Sequence, residues 1–235
     1  MLYALIRRLS ASLTASCAVS NGSRRYCGRY NDGKAEYYYD EAADGRIYNG
    51  TFNFTRKYTD VALGKVVETA CGCFASGMKE GKWTFSKKAY GIKSELTAEY
   101  AGGRLTGLYS YKSVCSQNAA AFKTGVTKIR IKVEDNHPVS AIECNINGEQ
   151  LTGGYDTEGQ PDGEWTLQPA KHGDTKTYHE EWEHGVCTES YAYDNSVGMK
   201  SKTKHFITDF VASIVRRDCR PLEKIITKGS SLLTP

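Results

Sequence analysis

Residues 72–85 read GCFASGMKEGKWTF, and residues 154–167 read GYDTEGQPDGEWTL. The two stretches align without gaps and share three glycines, a tryptophan and a threonine. A sequence that matches itself at fixed intervals is typical of repeat proteins, in which each copy forms one small structural unit. These two stretches therefore decide the fold if further copies accompany them.

Further copies follow each stretch after 26 residues. The copy from Ala98 keeps the aromatic residues and glycines, and the copy from Glu180 keeps the aromatics but loses two small residues. Weaker copies lie at 28–39, 50–54 and 133–144, so the sequence predicts six or seven units. The residues that define the repeat are Gly72, Phe74, Gly77, Gly81, Trp83, Phe85, Tyr100, Gly103, Gly107, Tyr109, Gly154, Gly159, Gly163, Trp165, Trp182, Gly185 and Tyr191.

The spacing within each copy predicts a β-hairpin. An aromatic and a small residue two positions apart share one face of a strand, and the interval from Gly77 to Gly81 is the expected reversal of the chain. Small residues leave room for aromatic side chains on the facing strand, so cross-strand pairs cover one side of the sheet. Asn136 stands where other copies have glycine, and asparagine readily accepts a positive φ.

These features predict an all-β fold, an elongated single-layer antiparallel β-meander of tandem hairpin repeats over residues 25–197. Stacked hairpins form a continuous sheet, whereas one hairpin alone is marginally stable in water. The composition agrees, because 16 Tyr and 23 Gly against 3 Met and 5 Pro favour pleated structure with many tight turns.

The pattern resembles the MORN repeat (membrane occupation and recognition nexus), in which aromatic-x-Gly-x-aromatic is followed by Gly and then by Gly and an aromatic. The resemblance covers about 28–193, and Asp156, Glu180 and Glu189 depart from it. It is closer to bacterial variants found in antitoxin-like proteins, because Trp or Tyr stands where many eukaryotic repeats have Gly. The resemblance implies scaffolding, dimerisation or membrane-lipid contact, with no chemistry of its own.

The carboxy-terminal part, 198–235, is predicted to be helical. Apolar residues recur at helical spacing over 206–215, with Asp209 early in the helix and basic residues late. Pro221 ends this helix and can open a second short one. We expect a short C-terminal α-helical cap on the aromatic stripe or on the open edge of the array. The alternative is a basic helix that binds a membrane surface or a partner.

The amino-terminal part, 1–24, is predicted to be a targeting or disordered segment. It is rich in arginine, and Asp32 is the first acidic residue of the chain. One alternative is an amphipathic organellar presequence, and another is lipidation of Cys17, since 13–17 resembles a bacterial lipoprotein cleavage site. The third is an ordinary poorly ordered terminus. Eight scattered cysteines do not suggest a disulfide framework, which favours a reducing, cytoplasmic location.

Charge is segregated along the chain, although the net charge is only +4. Residues 79–132 contain 11 basic and 3 acidic residues, whereas 134–195 contain 2 basic and 14 acidic residues. Residues 196–235 are basic again. Such segregation either serves solubility or fits a partner with a complementary charged face.

Three patterns resemble reactive sites but lack an essential element. Residues 28–34 have the spacing of a phosphate-binding loop, but Ala35 stands where Ser or Thr is needed. His179 and His184 are five residues apart, whereas a helical zinc site needs four. Cys71 and Cys73 share one side of a predicted strand, but no second cysteine pair at zinc spacing completes a site.

We therefore expect a non-enzymatic scaffold that binds a protein partner and is antitoxin-like or immunity-like in its narrower form. No cofactor, metal or nucleic-acid partner is expected, and the oligomeric state stays open. The alternative function is binding to a membrane surface or anionic lipid through the basic 79–132 stretch, the tail helix and a lipidated Cys17. An enzyme site built from scattered residues is a distant third hypothesis.

Overall fold

The computed structural model describes residues 19, 22–116, 125–170 and 175–226. The hypotheses about residues 1–18, including the organellar presequence and the lipidation of Cys17, lie outside the described residues.

The described residues form one open antiparallel sheet in which strand order follows the sequence. The predicted all-β meander is thereby confirmed. Only the short strand β9 leaves the path, since it pairs with the end of β8. The strands are β1 Arg24–Tyr30, β2 Gly33–Ala42, β3 Gly45–Asp60, β4 Gly64–Ala75, β5 Met78–Ala89, β6 Ile92–Ala101, β7 Arg104–Cys115, β8 Gly125–Glu134, β9 His137–Pro138, β10 Ile142–Ile146, β11 Glu149–Tyr155, β12 Pro161–Gln168, β13 Lys176–Glu183, β14 Val186–Asp194 and β15 Met199–Lys202.

Buried and exposed residues alternate along most strands, because successive side chains of a strand point to opposite faces. In β6, for example, every second side chain from Ile92 to Ala98 is buried. We call the side of the sheet that carries Phe52, Trp83 and Trp165 the core face. The opposite side, which carries Thr84, Ser110 and Arg130, is called the open face.

Six hairpins reverse at the same edge of the sheet, but not where the glycine spacing predicted. The turn between β4 and β5 is Ser76–Gly77, since Ala75 pairs with Met78. Both turn residues have positive φ, +51° and +81°, as in the tight turns that suit the twist of a hairpin. Gly81 lies inside β5 instead. The expected reversal over Gly77 to Gly81 is therefore wrong.

Gly81 begins a β-bulge that recurs in several hairpins. Cys71 pairs with Thr84 and Cys73 pairs with Glu80, so three residues of β5 lie opposite the single residue Gly72. The φ of Gly81 is +64°, a conformation that glycine adopts without steric cost. The bulge places Trp83 directly over Gly72.

Backbone hydrogen bonds fix each turn against the preceding hairpin. The second turn residue donates its N–H to a carbonyl of the previous unit, with Gly77 bonded to Tyr48 at 2.8 Å and Gly103 bonded to Lys79 at 3.0 Å. Asn136 and Gly185 form the equivalent bonds. Asn136 has a φ of +70°, as its glycine-like place in the repeat predicted.

The tail returns from the last strand across the core face. It contains helix α1 Ile207–Ile214, a π-helical turn Val215–Cys219 and helix α2 Arg220–Glu223. Pro221 lies in the first turn of α2, which ends before Ile225. Apolar side chains of the tail are buried within the main core, and helix contacts reach β12, β5 and β6. The predicted helical cap therefore lies over the aromatic stripe and not along an edge of the sheet.

Candidate functional site

The two tryptophans of the matching stretches have equivalent surroundings on the core face. Both are fully buried. A Cβ on Gly72 would lie 2.1 Å from the ring of Trp83, and a Cβ on Gly153 would lie 2.0 Å from the ring of Trp165. The structure thus places Gly153, and not Gly154, in the role of Gly72.

The turn after β11 explains this shift. Tyr155 meets Trp165 edge to face at 5.1 Å, as Phe74 meets Trp83 at 4.9 Å. Asp156 falls in a longer turn, where it accepts hydrogen bonds from the backbone of Glu158 and Gln160. The gap-free alignment is therefore one residue out of register before the turn and correct after it.

The other glycines of this copy lie where the alignment put them. Gly159 is in the turn with a φ of +79°, and Gly163 begins the bulge with a φ of +75°. The copy from Ala98 follows the same plan. Gly103 is in its turn and Gly107 begins its bulge, so that Tyr109 comes to lie opposite Ala98.

The last copy departs from the repeat because its bulge contains a single extra residue, Thr188. Trp182 stays on the core face and Gly185 stays in the turn. Tyr191, however, lies on the open face, where it stacks on His179 at 4.7 Å. Ala192 takes the buried position instead. The sequence predicted that Tyr191 lies in the aromatic stripe, and this prediction is wrong.

The first two weak copies form one hairpin. The segment 28–39 spans the turn between β1 and β2, which lies at the opposite edge of the sheet. The repeat-like unit is β2–β3, in which Tyr37 and Tyr39 precede the turn and Phe52 and Phe54 follow it. Among the described residues, six hairpins therefore share the main turn edge.

Glu180 explains the loss of a small residue from the last copy. It occupies the place of Gly153 one hairpin later and is only 1% exposed. Its carboxylate accepts hydrogen bonds from the backbone N–H of Phe206 and Ile207 and from the indole of Trp182. A negative charge at a helix N-terminus is favourable. Glu180 therefore caps α1 and fixes the start of the tail.

The far end of the tail is fixed by a tyrosine of the repeat. The hydroxyl of Tyr109 donates to Glu223 at 2.7 Å. Burial, followed by the nearby Cys219 and Glu223, raises the pKa of Tyr109. The Nζ atom of Lys79 lies 4.8 Å from the ring centre of Tyr100. Burial lowers the pKa of this lysine. The tail is thus held by polar contacts at both ends.

The open face is polar and follows the charge order of the sequence. Because neighbouring strands are also neighbours in sequence, the basic strands β5–β8 lie beside the acidic strands β10–β13. Exposed lysines and an arginine project from the first group, among them Lys88, Lys93, Lys112, Lys128 and Arg130. Charge segregation in the sequence is therefore segregation across one face of the sheet.

Two acidic groups in the second half of the open face have ion-pair partners. His179 bonds to Glu164 at 2.8 Å, and Lys200 bonds to Glu189 at 2.6 Å. By contrast, the ion pairs of the described residues do not include Lys112, Lys128 or Arg130. Lys112 does lie opposite Glu95, and Arg130 lies opposite Glu143, but basic side chains outnumber acidic ones on the open face of β5–β8.

The residues with reactive-site spacing do not come together. His179 lies on β13, whereas His184 lies in the following turn beside Asp156, whose hydrogen bond raises the pKa of this histidine. Cys71 is a free thiol, but Cys73 is disulfide-bonded, contrary to the expectation of reduced cysteines. In the described part of the chain, no group of three or more histidine, cysteine or acidic side chains could hold a metal ion.

No protein-family model matches the chain, and no curated protein matches it either. Within the described ranges, none of the helices has the length and apolar character needed to cross a membrane.

Proposed function

We propose that the protein is a non-catalytic interaction scaffold that binds a partner protein through its open face. The tail covers part of the core face, over β5–β7, β12 and β13, whereas it leaves the open face of the sheet uncovered. One side of an antiparallel sheet commonly faces solvent in this way. The resemblance to the MORN repeat supports the same role.

The charge of the open face is the observation that carries this proposal. Lys112 lies directly opposite Lys128, and Lys88 lies directly opposite Lys93. Like charges in such positions destabilise a sheet. Lys112 also lies opposite Glu95, and Arg130 lies opposite Glu143, but basic side chains remain in excess on this part of the face. A partner with acidic groups would offset the remaining positive charge.

Site-specific photocrosslinking of the full chain in its native host tests the proposal. A photoreactive residue replaces Thr84 or Thr166 on the open face, and matched controls replace the exposed turn residues Val61 and Tyr90. We expect a stoichiometric protein crosslinked from the two open-face positions and not from the turns. Crosslinks from the turns alone, or none at any position, would contradict it.

The narrower antitoxin-like role rests on the resemblance alone. It predicts a neighbouring gene for a toxic effector that this protein neutralises. Co-expression that leaves the toxicity of such an effector unchanged would count against this role without touching the scaffold proposal.

Binding to an anionic membrane surface is the second candidate, favoured by the exposed lysines of β5–β8. It predicts co-sedimentation with vesicles that contain phosphatidylserine and none with neutral vesicles. Equal sedimentation with both kinds of vesicle would dismiss it.

A further inference from the structure

A groove crosses the open face at right angles to the strands, where the basic and acidic halves meet. It spans β7, β8, β10 and β11 and has a volume of about 440 Å³. Two rows of side chains form its walls, and the backbone of the residues between the rows forms its floor. The rows are Ser110, Arg130, Glu143 and Thr152 on one side and Lys112, Lys128, Asn145 and Gln150 on the other.

The dimensions follow from sheet geometry. Three strand spacings make the groove about 14 Å long, and two residues along a strand separate its walls by about 7 Å. An extended peptide advances about 3.3 Å per residue, so about four residues fit along the groove. One extended chain laid across the four strands would reach side chains of both rows.

One end of the groove is cationic. Lys112 and Lys128 face each other across β7 and β8, and Arg130 stands on the facing wall next to Ser110. All three charged side chains are exposed. Arginine and lysine groups in this arrangement form charge-assisted hydrogen bonds with carboxylates.

The other end of the groove is polar and carries one carboxylate, Glu143, beside uncharged side chains. Asn145 and Gln150 pair across β10 and β11 and present side-chain amides, which both donate and accept hydrogen bonds. Thr152 stands opposite Glu143 on the other wall. These groups suit the peptide groups and uncharged side chains of a ligand better than a second anionic group.

We propose that this groove binds a short extended segment of a partner protein, with acidic side chains over β7–β8 and uncharged residues over β10–β11. The inference rests on the proposed scaffold function and specifies the partner chemistry. A uniformly anionic surface fits less well, because Glu143 would face it.

Fluorescence anisotropy with the full chain tests the site. The probe is a fluorescein-labelled oligopeptide with glutamates followed by serines, and an all-serine peptide is the reference. Replacing Lys112, Lys128 and Arg130 by glutamine should weaken binding about tenfold or more. The matched control replaces Lys82, Lys88 and Lys93, which lie on β5 and β6 outside the groove, and should change binding less than about twofold.

A charge-neutral variant separates the groove from general electrostatics. Thr152→Trp fills the groove without altering its charge and should also weaken binding about tenfold. Circular dichroism verifies that each variant keeps its sheet. Equal losses in the groove and control variants, no loss in Thr152→Trp, or no binding of the acidic probe would overturn the proposal.

Two further outcomes separate this proposal from membrane binding and from the scaffold function. If groove variants lose binding to phosphatidylserine vesicles and not to the acidic peptide, the ligand is a membrane and the proposal is wrong. If the native partner still crosslinks to Thr84 or Thr166 in the groove variants, the scaffold function stands and only the groove assignment fails.

Discussion

At the scale of single residues, the packing of the repeat depends on a glycine or alanine beneath each large aromatic side chain. Gly72 and Gly153 have no Cβ, and the indoles of Trp83 and Trp165 occupy that space. The next hairpin pairs Ala98 with the smaller ring of Tyr109 in the same register. Residue size is therefore matched across the strands, as close packing of the core requires.

Substitution of Gly72 by alanine tests this matching. Gly72→Ala should lower the free energy of unfolding by about 1–3 kcal/mol, because the added methyl group overlaps Trp83. Adding Trp83→Tyr recreates the pair found at Ala98 and Tyr109, and we expect it to recover part of the loss. Urea unfolding followed by circular dichroism measures both changes. Unchanged stability in Gly72→Ala would refute the size rule.

The two tryptophans differ in one polar contact. The indole N–H of Trp83 donates to the carbonyl of Cys73 at 3.0 Å. The equivalent atom of Trp165 is buried without a hydrogen-bond partner among the described residues. A buried donor without a partner costs about 1–3 kcal/mol, so this copy lacks a stabilising contact that the copy with Trp83 has.

At the scale of the element, bulges decide which face a side chain occupies. Two extra residues in a bulge keep the aromatics of β5 and β12 on the core face. One extra residue in β14 moves Tyr191 to the open face, because side chains alternate with a period of two. The space left in the aromatic stripe is taken by Ala192.

Removal of the Glu180 carboxylate tests whether this strand residue anchors the tail. Glu180→Ala leaves three hydrogen-bond donors without their acceptor, namely the indole of Trp182 and the backbone N–H groups of Phe206 and Ile207. Each buried unsatisfied donor costs about 1–3 kcal/mol. We expect faster amide hydrogen exchange in 206–226 and altered fluorescence of Trp182, with a smaller effect for Glu180→Gln. Glu183→Ala, an exposed carboxylate of the same strand, is the matched control. Equal exchange in both alanine variants would show that the cap does not hold the tail.

At the scale of the whole molecule, the tail joins distant parts of a sheet whose other contacts are local. It starts beyond β15, its first helix is capped by Glu180 on β13, and its far end reaches Tyr109 on β7. Without the tail, each hairpin would contact only its neighbours, as in other repeat arrays. The two edge strands carry basic side chains, such as Arg24 on β1 and Lys200 on β15, which discourage pairing with other chains.

Alkaline pH should loosen this long-range contact. The pKa of Tyr109 is raised in the fold, so above about pH 10 the unfolded chain releases a proton that the folded chain keeps. Stability is therefore fully present below the ordinary tyrosine pKa and falls as pH rises above it. The urea midpoint should decline more steeply above this pH in the wild type than in Tyr109→Phe.

The matched control for the alkaline experiment is Tyr90→Phe, because Tyr90 is exposed in a turn. That variant should keep the slope of the wild type. A slope in Tyr109→Phe equal to that of Tyr90→Phe would mean that Tyr109 titrates normally and that its burial beneath the tail is incorrect.

The sequence by itself determined the β-meander, the presence of tight turns between its strands and the terminal helix. These depend on local rules, namely side-chain alternation, positive φ in glycine or asparagine, and helical spacing over 206–215. The order of charge along the open face was also readable from the sequence, because a meander keeps sequence neighbours adjacent in space.

Only the tertiary structure decided the partner of each residue across the strands. The shift from Gly154 to Gly153, the move of Tyr191 to the open face and the capping role of Glu180 each depend on turn or bulge length or on long-range packing. A one-residue change in a turn or bulge costs little locally but changes the face or the partner of the side chains beside it. Local sequence patterns do not record that choice.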